Sequence, residues 1–475
     1  MSTSLSPLPK RALSLDALRG FAILTMVLSG TVPYTGLPAW MYHAQLPPPT
    51  RQFDPSLPGI TWVDLVFPFF LFALGAAIPL ALGKLIEKGQ STFKIIIHIL
   101  ERGFLLGFFA IFLRHVRPHS INPSPDTLAW LIAIFGFILM FGLFTRWPEK
   151  WKKEVRWSIK IGSWVATIIL LSLLRYPDGS GFSLGRSDII IVVLTNVYIF
   201  GSLIWLFTRQ NWLPRLGVLG ILIALRLAQA EPGWVAAVWN FSLMPWMYKL
   251  YYLQYLFIVI PGTIVGDMTV QWMQHKTESE NFVSHWSLRR YGAITMLMLA
   301  FILLQLVGLQ ARWIWPTVLI TLTLFITGFY LLHQPGNDSE RLIHRLYGWG
   351  VYLLFTGLLF EPFEGGIKKD HSTVSYYLVT AGLAVFMMIA FFILIDLLNQ
   401  KRWLNLLIFN GQNPMIAYVG FANFIWPILA LTGLEGLINR FTAHPWLGFV
   451  RGAVYTFILA LLVSYFSKKR IFWRT

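Results

Sequence analysis

The chain has 475 residues, of which 56% are hydrophobic and 12% charged, about half the charge of an ordinary soluble domain. With a mean hydropathy of +0.62, this balance excludes a disordered chain, a coiled coil and a water-soluble enzyme, and leaves an integral membrane protein with many spans. The net charge of +17 would suit a nucleic-acid binder in a soluble protein, but in a polytopic one basic loops set topology and meet anionic lipid. The chain has no cysteine, so disulfides, thiolate catalysis and Cys-based metal sites are excluded.

The first apolar run goes from Leu13 to about Val32, behind Lys10 and Arg11. It contains Asp16 and Arg19 and no small-x-small cleavage site follows, so a spanning helix is expected rather than a cleaved leader. Asp16 and Arg19 are three apart and share a helix face. They read either as a capping pair with Arg19 reaching for lipid phosphate, or as an Arg placed to meet an anionic group at the mouth of the bundle.

A long loop follows, carrying Trp40-Met41-Tyr42-His43-Ala44 and then a Pro-rich stretch. The chain re-enters the membrane at Gly59, with Asp64 at the start of the next span. Desolvation among aromatics lowers a His pKa, while a carboxylate partner raises it and sets its tautomer. A His poised near neutral pH can take a proton from an incoming amine or hydroxyl. The plainer reading is an interfacial His in an aromatic belt, with Asp64 as a helix cap.

Further runs of spanning length cover 60–83, 92–113, 127–144, 157–174, 189–207, 213–229, 251–266, 290–309, 314–333, 346–361, 374–397, 409–432 and 447–466. Pro261 interrupts the run at 251–266; Asn413, Pro414 and Asn423 interrupt the one at 409–432. Backbone polar groups cannot go unpaired in lipid, and no run alternates like a barrel strand, so these are helices. The expected fold is all-α: a polytopic membrane bundle of about 10–14 transmembrane helices, forming one domain over 1–475. Lys and Arg favour one set of loops by about two to one, chiefly through the loop Arg146–Arg156 and the tail Lys468–Arg474. This puts both termini in the cytoplasm, gives an even span count, and places His43, His115, His119 and His371 on the exterior.

Ionisable groups near spans are costly and tend to face cavities. Glu101-Arg102 reads as a structural ion pair or an anion contact. The exterior loop Glu361–His371, with Glu364 and Lys369, reads as a solvated turn or a polar-substrate contact. Asn413, at a helix opening, reads as a donor to an oxyanion or as support for a broken helix. No metal site is expected: there is no HExxH, and Pro118 separates His115 from His119. No P-loop, dinucleotide fingerprint, nucleophile elbow or inverted repeat is seen.

Several of these blocks resemble transmembrane acetyltransferases related to heparan-alpha-glucosaminide N-acetyltransferase and their bacterial relatives. The blocks are SLDALRG at Ser14–Gly20, His43-Ala44, GITWVDLVFPFFLFALG at Gly59–Gly75, and Glu101–Leu106. EGGIKKD with Ser375-Tyr376, QNPMIAYVG and the terminal KKRIFWRT complete the set. The resemblance is clearest toward both ends of the chain. It implies transfer of an acetyl group from cytoplasmic acetyl-CoA, as co-substrate, to an amino sugar or glycan on the periplasmic side of a bacterial inner membrane. His43 would be the base or a transient acetyl carrier, and Asp64 would orient it. Asn413, Glu364 and Lys369 would serve the oxyanion or substrate, together with Ser29, which with Gly30 stands where the family has an Asn. Arg19 and Arg102 would meet the CoA phosphates. Expected partners are the lipid bilayer, the acceptor sugar and a second copy of the chain in a homodimer; nucleic acid is not expected. A transporter or flippase-like protein for a sugar-containing substrate, or a non-catalytic relative, would use the same residues without acetyl transfer.

Overall fold

A computed structural model describes residues 11–148, 151–275 and 286–474. Lys10 of the amino-terminal basic flank, Glu149 and Lys150 of the basic loop, and Thr475 lie outside the described residues. In chain order the long helices are α1 (Leu13–Thr31), α2 (Trp62–Glu87), α3 (Thr92–His115), α4 (Thr127–Phe144), α5 (Lys153–Leu173), α6 (Ile189–Thr208) and α7 (Leu213–Ala228). They continue as α8 (Leu256–His275), α9 (Leu288–Gln310), α10 (Ile314–Leu331), α11 (Asp338–Phe360), α12 (Val374–Phe392), α13 (Pro414–Leu431) and α14 (Pro445–Lys468).

Among the described residues, twelve helical stretches are long and apolar enough to cross a membrane. The shorter α7 and the more polar-ended α11 run between the same two ends. On α7, Arg215 pairs with Asp267 near the end of α8, while Arg226 reaches Glu364 in the loop beyond α11. The chain is thus an all-α polytopic membrane bundle. Arg11 and the tail at Arg474 share one end, called here the terminal end; the loops after α1, α3 and α11 form the distal end.

Helix α12 is apolar all round, and every residue from Val374 to Phe392 is buried; such a helix belongs in the middle of a bundle. By contrast α5 and α10 keep most of their apolar surface at the periphery, where lipid covers it. Two contacts need small residues. Gly262 and Gly266, a G-x-x-x-G pair on α8, lie against the backbone of α2, where an added Cβ would come within 2.5 Å of Phe72 O and 2.4 Å of Ala76 O. This is how membrane helices gain packing without a hydrophobic drive between them. In the same way Gly20 of α1 meets Gly411 of the helix Lys401–Gln412.

Three elements differ from the sequence-based bounds. The run at 251–266 begins as a 3-10 turn, Leu250–Tyr255, and α8 then continues to His275 with Pro261 inside it. Helix α11 starts at Asp338, where Asn337 caps it through the N–H of Glu340 (2.9 Å); polar capping residues hid this start from an apolar count. The run at 409–432 is two helices that meet at Asn413, with Pro414 opening the second and a π turn at Phe421–Ile425.

Candidate functional site

The distal site is assembled by a loop that folds back on itself. After α1 the chain crosses a Pro-rich stretch whose ends are tied by Asp54 N–H to Gln45 O (3.0 Å) and Gln45 Nε2 to Leu57 O (3.1 Å). This closure returns His43 to the start of α2. Thr61 Oγ1 donates to Tyr42 O at 2.6 Å, and Ala44 N–H donates to Asp64 Oδ2 at 3.1 Å. The Pro-rich stretch between His43 and Asp64 therefore does not separate them.

Asp64 is the third residue of α2 and is 1% exposed. Its Oδ2 accepts from Thr61 N–H at 3.0 Å, as a capping carboxylate does. Its Oδ1 lies 3.0 Å from His43 Nδ1, off the straight line of a well-aligned hydrogen bond. Tyr376 of α12 fixes the same turn by donating to Asp64 O at 2.8 Å. One oxygen of Asp64 thus caps the helix and the other faces His43.

The other ring nitrogen faces the loop after α11. Lys369 Nζ touches His43 Nε2 and lies 3.9 Å from Asp64 Oδ1, and Asp370 Oδ2 is 3.4 Å from His43 Nε2. Ser372 pins this loop by donating to Lys369 O and meeting Tyr255 OH at 3.2 Å. Nδ1 thus faces the buried Asp64 carboxylate, while Nε2 lies between the Lys369 ammonium and the Asp370 carboxylate; with the proton on Nδ1, the Nε2 lone pair accepts from Lys369. Asp370 was not singled out from sequence; its place beside Lys369 in a polar loop was the only signal.

The remaining sequence candidates separate. Glu364 is committed to structure: Oε2 accepts from Ser375 N–H (3.0 Å) at the start of α12, and Oε1 pairs with Arg226 at 3.0 Å. Asn413 does not fit the expected oxyanion role. It is buried at the terminal end, where Nδ2 donates to Ile471 O (2.8 Å) and Oδ1 accepts from Trp473 N–H (3.1 Å), so its amide holds the C-terminal tail. His115 is also internal, with Nδ1 on Ile111 O (2.8 Å) and Nε2 accepting from Ser183 N–H (3.3 Å).

Ser29 lines a distal cavity of about 600 Å³ with Arg114, Arg117, Asp188, Tyr418 and Trp426. His43 is not among its lining residues. Below it, sharing Met26, Ile190 and Tyr418, lies an apolar slot of about 40 Å³ bounded by Phe67, Leu106 and Met415. The cavity walls come from α1, α3, α6 and α13, four segments far apart in sequence, so no local motif announced them.

At the terminal end, Arg19 donates to Gly411 O and Ala73 O, both at 3.3 Å, with Asp16 at 3.7 Å. Asp16 is closer to Arg11, at 2.7 Å. Arg102 stacks 5.0 Å over the Tyr198 ring. Arg474 joins this group. Although part of its side chain reaches solvent, desolvation of the rest and then repulsion from Arg11, Arg19 and Arg102 hold its guanidinium below the usual value, with Asp16 opposing. Four guanidinium groups thus act on one another, with the Asp16 carboxylate opposing them, a concentration of positive charge that suits an anion.

The sequence relatives agree with the resemblance read from the motifs. The chain is 38% identical over 103 residues to human (Homo sapiens) heparan-alpha-glucosaminide N-acetyltransferase, a stretch that is 22% of this chain and 13% of that protein. To the mouse (Mus musculus) protein of the same name it is 34% identical over 91 residues, 19% of this chain and 12% of that one. The chain therefore matches little more than a tenth of the length of either relative. The family described as Domain of unknown function (DUF5009) matches residues 11–269. That match covers more than half of the sequence, and the chain belongs to the DUF5009 family.

Proposed function

We propose that the chain, acting as one transmembrane unit, moves an acetyl group from acetyl-CoA at the terminal end to an amino sugar or glycan at the distal end. The terminal end would be cytoplasmic and the membrane a bacterial inner membrane. The observation that carries this reading is His43 Nδ1 at 3.0 Å from a buried Asp64 oxygen, beside the Lys369 ammonium. The names of the curated relatives support the same chemistry.

In this reading the acceptor amine displaces Lys369 from His43 Nε2 and gives its proton to that nitrogen as it attacks the thioester carbonyl. Asp64 keeps the proton on Nδ1 and stabilises the imidazolium that forms. The displaced Lys369 ammonium stays near enough to meet the oxyanion of the tetrahedral intermediate. Collapse breaks the C–S bond, and the proton held by His43 returns to the departing CoA sulfur. Arg19 and Arg102, with Arg11 and Arg474, would receive the CoA phosphates. The pantetheine arm would follow the apolar slot toward the distal cavity, and a slot of about 40 Å³ must widen to admit it.

The test is CoA release by the purified protein with a panel of amino sugars. His43→Ala is expected to lower the rate by about a thousandfold while the protein still inserts and folds. A variant that kept the wild-type rate would overturn the assignment. Substrate movement across a vesicle membrane without CoA release would favour a transporter instead.

A further inference from the structure

One stripe of α11 changes character along its length. Arg341, Arg345, Trp349 and Tyr352 are spaced four, four and three apart, so they share a helix face. The helix begins at Asp338 and its other end leads into the loop that carries Lys369. The two arginines therefore lie at the terminal end and the two rings deeper. Those rings stack 5.3 Å apart, and the Trp349 indole is fixed by donating to Pro261 O of α8 at 3.4 Å. Basic groups followed by amphipathic rings are how a helix meets the headgroup layer of a membrane.

Between this end of α11 and the last turns of α8 lies a pocket of about 230 Å³. Its inner wall is held in place: Trp272 Nε1 donates to Ser339 Oγ at 3.0 Å, and its ring lies 4.9 Å from Phe392 of α12. Met268 and Leu342 add apolar surface, while Asp338, Arg341 and Arg345 supply charge. Asp338 is matched by Arg341 at 2.8 Å. Arg345 is exposed and makes no hydrogen bond or ion pair with another described residue. The described lining thus carries one positive charge in excess, beside apolar surface.

We propose that this pocket binds an anionic phospholipid of the leaflet at the terminal end, with the lipid phosphate on Arg345 and Arg341 and the acyl chains running inward along Trp349 and Tyr352. A guanidinium fork meets two phosphate oxygens at once, and basic pockets between membrane helices suit such headgroups. The rings favour a lipid over a soluble phosphate ester: Tyr352 is 53% exposed, and an apolar track below the charges gives nothing to a small polar ion. The charge favours an anionic lipid, because phosphatidylcholine would bring its quaternary ammonium toward the unmatched guanidinium. Neither point depends on acetyl transfer.

The experiment offers the purified full chain, in detergent, equal amounts of phosphatidylglycerol and phosphatidylcholine and identifies the retained lipids by native mass spectrometry. One phosphatidylglycerol is expected to be held with about fivefold or greater preference, the effect of one basic group on an anionic lipid. Arg345→Gln loses that molecule. Because Arg345 is exposed, the variant keeps the wild-type unfolding midpoint when no lipid is added. Lys469→Gln, which removes a charge at the same end but outside the pocket, retains the lipid. Equal retention of the two lipids, a preference that survives Arg345→Gln, or one that Lys469→Gln removes equally overturns the proposal. Displacement of the phosphatidylglycerol by an equal amount of glycerol 3-phosphate would mean that the pocket takes a soluble phosphate ester, and the lipid assignment would fail. CoA release plays no part in the measurement, so failure of this proposal and failure of the transfer reading are distinguishable.

Discussion

Asp64 divides its two oxygens between a helix and a histidine, and this makes its substitution informative. In Asp64→Asn the amide NH2 must face either the N–H groups of Thr61 and Ala44 or the Nδ1 proton of His43. The first choice costs about 1 kcal/mol of capping; the second turns the imidazole to the tautomer that protonates Nε2 and removes the base. Acetyl transfer is expected to fall by about a hundredfold or more, measured as kcat with folding checked by thermal denaturation; an unchanged kcat would separate Asp64 from the chemistry. The His43–Asp64 pair was legible in the sequence as residue types and motif. The part of Lys369 beside His43 Nε2 was not, because 326 residues separate them and only the folding of the loop after α11 joins them. Asn413 misled for a related reason: an amide at a helix opening looks the same whether it faces a substrate or a tail.

Among the elements, close helix contacts are where sequence and packing meet. Gly411 touches α1 so closely that a Cβ there would lie 1.7 Å from Asp16 O. That neighbour is backbone and cannot rotate away, so Gly411→Ala must push the helix Lys401–Gln412 off α1. A loss of about 1–3 kcal/mol is expected, read as a lower unfolding midpoint in detergent, and the Arg19 hydrogen bond to Gly411 O should be lost with it. An unchanged midpoint would mean that the two helices yield freely. Helix α12 could be recognised as central from its uniformly apolar sequence. The start of α11 and the joint at Asn413 could not be placed by apolar length, because capping and Pro chemistry, not hydropathy, decides where a helix begins.

For the whole molecule, the C-terminal tail closes the terminal end. Trp473 is buried against Phe137, Phe141 and Phe144 of α4, and Arg474 N–H donates to Phe144 O at 2.7 Å. Trp473→Ala is expected to cost about 3–5 kcal/mol and to loosen Arg474 from the arginine group. The measurements are thermal unfolding and the KM for acetyl-CoA, which should rise more than kcat falls; stability kept at the wild-type level would show that the tail is dispensable. Orientation is tested directly because the chain has no cysteine. In intact cells an impermeant maleimide is expected to label Ser124→Cys at the distal end and to spare Lys469→Cys at the terminal end, and the reverse pattern would invert the proposed direction of transfer. Composition alone determined that the chain is a helical membrane bundle, since lipid leaves a chain this apolar no other way to pair its backbone. Which charges meet was decided only by tertiary structure: the arginine group and the distal cavity each draw on segments far apart along the chain. Apolar periodicity records which residues are buried, but it carries no information about which helices become neighbours.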